Sequence, residues 1–111
     1  MEIHFTARRF RAHSELKDHA VDGVKKLDKY FDGIRRCDVI LSFDRPTNSI
    51  KKAELNVHVS GTILSVVETS EDFTKSIDLA IDKIERRLET YKAKLRAKDR
   101  KKVRQVQAKA V

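Results

Sequence analysis

The sequence predicts an α+β fold with the order β-α-β-β-β-α, two layers in which a four-stranded mixed sheet carries two helices on one face. Three observations predict it. Four short stretches alternate apolar and polar residues with a period of two, the mark of half-buried strands. Two longer stretches repeat apolar residues at three- and four-residue spacing, the mark of amphipathic helices. Each helical stretch is apolar on one side only, so both must bury that side against the same sheet. At 111 residues the chain makes one domain, and a chain of this size buries roughly two-thirds of its unfolded surface without disulfides.

The first strand rests on Ile3 and Phe5, which alternate with Glu2, His4 and Thr6. A basic turn, Arg8-Arg9-Phe10-Arg11, follows. Ser14 is placed to cap the first helix, with Glu15 in its first turn where the helix dipole favours an acid. Leu16, Ala20, Val24, Leu27 and Phe31 form its apolar stripe, and Asp32-Gly33 supplies the stop. Gly23 inside the helix costs about 1 kcal/mol relative to alanine, which implies close packing there.

The second strand turns Cys37, Val39, Leu41 and Phe43 inward, and Pro46-Thr47-Asn48-Ser49 is a turn. The third turns Ala53, Leu55, Val57 and Val59 inward. Gly61 closes a hairpin into a fourth strand, Ile63 to Thr69, whose register depends on the loop. A three-residue loop buries Ile63, Ser65 and Val67; a two-residue loop buries Leu64 and Val66. The first is preferred because Ile63 then faces Val59. Ser70, with Glu71 and Asp72 behind it, caps the last helix. Its stripe is Phe73, Ile77, Ala80, Ile81, Ile84, Leu88, Tyr91 and Leu95. The stripe ends near Ala97, dividing the chain into a folded domain, 1–97, and a basic flexible C-terminal tail, 98–111. A right-handed crossover through the first helix sets the first strand parallel to the second.

The lone cysteine, Cys37, excludes an internal disulfide and suits a reducing compartment. The charged N-terminus lacks the apolar core of a signal peptide. No apolar run approaches the ~18 residues of a membrane span. A soluble, cytoplasmic protein is expected.

The formal charge is +8, and its location is more informative than its size. Residues 75–111 hold 13 Lys/Arg against 5 Asp/Glu, whereas residues 1–74 balance at 12 each. A field gathered into the last third of a chain implies a polyanionic partner. On a wheel at about 100° per residue, Asp78, Asp82, Glu85 and Glu89 fall on one flank of the last helix's stripe. Lys83, Arg87, Lys94 and Lys98 fall on the other, with Arg86 nearer the solvent side. Ordinary surface helices mix signs at i,i+4 spacing for mutual support; this one sorts them. The basic flank makes a ridge about 20 Å long that can follow a phosphate backbone, and the acidic flank repels phosphate from the wrong side. Lys25, Lys26 and Lys29 on the first helix are interleaved with Asp18 and Asp22, the pattern of an ordinary solvated face.

The aromatic residues sit on core stripes or beside them, except Phe10, which lies off pattern. No ring platform remains for stacking single-stranded bases, so recognition should run through backbone and shape. Catalysis is not expected: Cys37 is an inward strand residue, and there is no glycine-rich phosphate loop. His4, His13, His19 and His58 show no metal-ligand spacing. No cofactor and no metal are expected. The rival readings are a general RNA-binding protein, a basic amphipathic helix lying on a membrane surface, and a protein-interaction module.

The segments KKLDKYFDGI (25–34), AELNVHVSG (53–61) and EDFTKSIDLAIDKIERRLETYKAKL (71–95) resemble the family of hibernation-promoting factors and ribosome-associated inhibitors, the ribosomal subunit interface proteins. The resemblance covers residues 1 to 98 and is most specific in the last helix. It implies a fold akin to a double-stranded-RNA-binding domain, and a factor of stress and stationary phase. Such a factor binds small-subunit rRNA in the decoding channel where mRNA and tRNA bind, inhibits translation and stabilises inactive ribosomes. It implies rRNA contacts by Lys83, Arg86, Arg87, Lys92 and Lys94, supported by Lys25, Lys26 and Lys29, with Lys98 added by the wheel. Its partners would be rRNA and ribosomal proteins near the channel, with no membrane, and it would be a monomer away from the ribosome. Two departures stand out: the chain stops short of the C-terminal dimerisation domain of long-form members, and its tail is basic where some ribosome-associated inhibitors end in acids. True double-stranded-RNA binders carry lysines at the start of the last helix, where this chain has Glu71 and Asp72.

Overall fold

The computed structural model describes the backbone of residues 1–44 and 50–110 and the side chains of residues 1–44 and 50–97; the expected turn at Pro46–Ser49 lies outside them. In chain order the elements are β1 (Glu2–Ala7), α1 (Ser14–Lys25), a 3-10 turn (Lys26–Lys29), β2 (Arg36–Phe43), β3 (Lys51–Val59), β4 (Thr62–Ser70) and α2 (Phe73–Ala110). The sheet order is β1-β2-β3-β4, with β1 parallel to β2 and the remaining pairs antiparallel. The predicted fold class is the observed one.

Alternation builds the sheet as expected. Cys37, Val39 and Leu41 of β2 and Ala53, Leu55, Val57 and Val59 of β3 are buried. Ala20, Val24 and Leu27 cover them from the α1 side, and Phe73, Ile77, Ala80, Ile81, Ile84 and Leu88 from α2. The two helices approach closely at Gly23, where a Cβ atom would stand 2.5 Å from the Ile81 Cδ1 methyl. That contact is the close packing which the glycine's helix cost implied.

The fourth strand corrects the expected register. The hairpin loop is the two-residue Ser60-Gly61, pairing Val59 with Thr62 and therefore Val57 with Leu64 and Leu55 with Val66. Gly61 takes φ +82 at the second loop position, a conformation that a side chain would resist. A one-residue change of register moves every side chain to the other face. Val66 is consequently buried, while Ile63 and Val67 are 53% and 41% exposed on the open face.

Phe10, off pattern in the sequence, is half-buried and packs against the core. Arg9 in the preceding turn has φ 63, and Phe10 stacks on Phe73 at 4.9 Å between ring centroids and meets Phe43 edge-on at 5.1 Å. Lys51 Nζ lies 5.9 Å from the centre of the Phe43 ring, closing the cluster with a cation–π contact. At the far end of α2, Tyr91 meets Phe31 edge-on and donates a hydrogen bond to the Ser60 carbonyl at 3.0 Å. The helix thus spans the sheet from the aromatic cluster to the β3–β4 turn.

The caps differ from expectation by a residue or more. His13, not Ser14, precedes α1, and it makes no side-chain cap. At α2 the cap is Asp72, whose Oδ1 accepts the Thr74 amide at 3.1 Å. Ser70 instead accepts the Asp72 amide and pairs with the buried Ser76 hydroxyl, which donates to the Lys51 carbonyl at 2.7 Å. The backbone of α2 is helical to Ala110, past the end of its apolar stripe, as a segment with no Gly or Pro after Gly61 permits.

Candidate nucleic-acid interface

Helix α2 lies over β3 and β4 with α1 beside it, so its two flanks meet different surroundings. The basic flank overhangs β4, the edge strand. Lys83 Nζ stands 3.4 Å from Glu68 Oε1, with 48% and 29% of the two side chains exposed. One turn on, Arg87 Nη1 donates to the Ser65 carbonyl at 2.6 Å. Arg86 and Lys94 are exposed. Four cations therefore follow one another along the solvent and edge-strand sides of the helix. Arg87 is oriented by a neutral acceptor and keeps its whole charge, while Lys83 is part-neutralised by a carboxylate.

The acidic flank faces α1. Asp78, Ile81, Asp82 and Glu85 line an open groove of about 570 Å³ with His19, Asp22, Gly23 and Lys26. His19 Nε2 lies 2.7 Å from Asp78 Oδ1, a direct link between the helices. The Glu85 carboxyl is held above its ordinary range by burial first and then by the charges of Asp82 and Glu89, against the opposing pull of Tyr30 and Lys26. The same neighbourhood raises the Tyr30 phenol, mainly through the Glu85 charge. Part of the sorting of signs is thus explained by packing, because the acids lie where α1 supplies His19 and the 3-10 turn after it supplies Lys26.

The expected site residues fall into separate places. Lys83, Arg86, Arg87 and Lys94 share one side of α2. Lys92 is half-buried and falls at about 100° per residue on the acidic flank's side of the stripe. Lys26 belongs with the acidic groove. Lys25 and Lys29 are exposed on the α1 side, across that groove from the basic flank. Lys98 lies beyond the described side chains. Sequence reasoning missed Glu68 and Ser65, the β4 partners of the ridge. The signal was an acid on the core-facing parity of β4, visible only in the two-residue register.

The open face of the sheet carries a second polar network. Asp38 accepts Arg36 Nε at 2.6 Å and faces His58 Nε2 at 3.0 Å. Burial alone would raise the Asp38 carboxyl, but these two partners outweigh it and hold the group below the usual carboxylate range. Cys37, on the other face, is fully buried, and burial, with some help from Asp38, pushes its thiol up to about 12. A thiol so placed is a packing residue. Among the described residues no group of three or more His, Cys, Asp or Glu could hold a metal ion, and no helix is long and apolar enough to cross a membrane.

The family described as sigma 54 modulation protein / S30EA ribosomal protein matches residues 3–96. Among curated relatives, the ribosome hibernation promoting factor of Azotobacter vinelandii is 28% identical over 94 residues, 85% of each chain. That of Escherichia coli K12 is 27% identical over 96 residues, 86% of this chain and 98% of the relative. The ribosome hibernation promotion factor of Bacillus subtilis is 32% identical over 85 residues, 77% of this chain but 45% of the longer relative. Among solved structures, a ribosomal subunit interface protein from Coxiella burnetii superposes with TM-score 0.76 at 24% identity, covering 84% of this chain and 99% of that one, a likeness of fold. The N-terminal domain of Thermus thermophilus Protein Y superposes with TM-score 0.72 at 26% identity over 82% and 99% of the two chains. With the match spanning all six main elements and the fold the same, the chain belongs to the sigma 54 modulation protein / S30EA ribosomal protein family.

Proposed function

We propose that this protein is a ribosome hibernation factor whose domain, residues 1–97, binds rRNA of the small subunit in the decoding channel, inhibits translation and stabilises inactive ribosomes. The observation that carries the reading is the sorted basic flank of α2, set over an edge strand on a chain of this family. Lys83, Arg86, Arg87 and Lys94 are the proposed phosphate contacts, with Lys98 continuing the ridge and Lys92, Lys25, Lys26 and Lys29 reaching neighbouring backbone outside it. The basic segment 98–111 serves as an auxiliary arm, and the protein works as a monomer away from the ribosome, in the cytoplasm.

Chemically, the role asks for charge and shape and for no reacting group. Each phosphate neutralised by Lys or Arg releases condensed counterions, so binding should be strongly salt-dependent. The six phenylalanine and tyrosine rings that pack in the core or line it leave recognition to the backbone and the outline of folded RNA. The membrane-surface alternative is disfavoured because the apolar stripe of α2 is already spent on Leu55 and Val57.

The test is co-sedimentation with purified 30S subunits at low and high salt, followed by translation in a purified system. The protein should pellet with 30S at low salt and be released at high salt. Translation should fall as protein is added and recover with excess initiator tRNA. Protein left in the supernatant at low salt, or inhibition indifferent to tRNA and mRNA, refutes the proposal.

A further inference from the structure

Glu68 is an acid on the wrong face of a strand. It follows Leu64 and Val66 on the side of β4 that the helices cover, and it pairs in register with the buried Ala53. A core-facing position on a strand ordinarily takes an apolar residue. The sheet edge leaves Glu68 partly wet, and its carboxylate turns to Lys83 at 3.4 Å. Four residues further along α2, the same strand treats Arg87 differently, holding the guanidinium by the neutral carbonyl of Ser65 at 2.6 Å. Both contacts orient a cation, but only one cancels charge. Exposed ion pairs contribute little to stability, so stability is a weak reason for an acid at this position.

We propose that Glu68 is a specificity-determining residue of the RNA-binding surface, an internal stand-in for phosphate that keeps Lys83 occupied until a correctly placed phosphate displaces it. The inference rests on the rRNA reading of the ridge given above. A phosphate arriving at Lys83 must either push the carboxylate aside or lie beside it against its repulsion. RNA that presents phosphates without fixed geometry gains little from Lys83 under that competition. A rigid site that also engages Arg87 and Lys94 holds a phosphate in place and recovers the contact. Discrimination of this kind works by penalising the wrong partner rather than by improving the right one.

The test compares the full chain with Glu68→Gln, Lys83→Gln and the double variant, binding unstructured polyuridine and 30S subunits at 50 and 200 mM salt. Glu68→Gln should tighten polyuridine binding about 5- to 10-fold at 50 mM, with a salt slope steeper by roughly 0.7, one added single-strand contact. On 30S subunits the gain should be less than about 3-fold, so selectivity falls. In the Lys83→Gln background the Glu68→Gln effect should vanish, a coupling that a merely structural role would not produce. Should Gln disturb the strand, Glu68→Thr, a good strand former, serves in its place. Unchanged or weaker polyuridine binding by Glu68→Gln, or equal tightening with and without Lys83, overturns the proposal while the ribosome reading stands. Failure of the wild-type chain to bind 30S at low salt overturns both.

Discussion

Neutralising Lys83, Arg87 and Lys94 to glutamine separates a geometric ridge from mere net charge. Glutamine is preferred to glutamate at position 83 because a second carboxylate there would face Glu68 across the 3.4 Å of the present pair. Each phosphate contact contributes about 0.7 to 0.9 to the slope of log affinity against log salt. Lys83 is part-neutralised, so the three side chains amount to about two effective contacts, and the slope should fall by about 1.6. Extrapolated from 1 M, where the counterion contribution vanishes, to 50 mM, each contact is worth roughly 10-fold, so the variant should bind about 100-fold more weakly. Between 50 and 200 mM the gap should narrow about 9-fold. The control neutralises Lys101, Lys102 and Lys109, removing the same charge from the C-terminal segment, and should cost only several-fold, as diffuse charges are screened within about 8 Å. Sedimentation or anisotropy with 30S subunits across a salt series measures both, and circular dichroism checks the fold. Equal losses from the two triples would refute the ridge and make total charge the determinant.

Three further outcomes follow from the packing. Val66→Ala should destabilise by about 1.5 to 2.5 kcal/mol in a urea melt, from roughly two lost methylene equivalents and the cavity they leave, while Val67→Thr on the open face should change stability by less than about 0.5 kcal/mol; similar costs for both would contradict the register. Glu85→Gln should raise the melting temperature at pH 7, because an acid whose folded pKa is raised costs stability while ionised. That cost disappears as pH falls toward the ordinary value of 4.5, so the gain should be under about 1 kcal/mol and gone near that pH; a gain that persists there assigns it to something other than charge. Cys37 should resist a thiol reagent at pH 8 in the native state, with its pKa near 12, and react at once in denaturant; rapid native labelling would contradict its burial.

Much of this architecture was legible because its periods are clean. The inward runs of β2 and β3 and the stripe of α2 each admit one assignment. The stretch from Ile63 to Val67 does not, since apolar pairs occur on both parities, Ile63 with Val67 and Leu64 with Val66. Hydrophobicity could not choose between them; the backbone at Gly61 did. The consequence reached the candidate site, because the other register points Glu68 away from Lys83 and hides the partnership. Phe10 was illegible for a different reason. It lies in a turn, where no period operates, and the left-handed conformation of Arg9 precedes its packing among the rings. The sorted signs of α2 were plain in the sequence, but that the acids line a groove with α1 depends on a helix–helix contact that one helix's wheel cannot contain.

The sheet order carries a kinetic consequence. From β2 through β4 each strand pairs with its sequence neighbour, and α2 then folds back over β3 and β4, so this portion can assemble from local contacts. β1 is the exception: its register, Ile3 with Cys37 and Phe5 with Val39, closes only after the chain has passed through α1. Loop closure of that kind is a slow, entropically costly step, and β1 is an outer strand whose side chains are at best half-buried. Amide protons of β1 should therefore exchange with deuterium well before those of β3, through an opening that leaves the β2–β4 meander and α2 intact. The N-terminal strand would be the last to zip up at synthesis and the first to come loose.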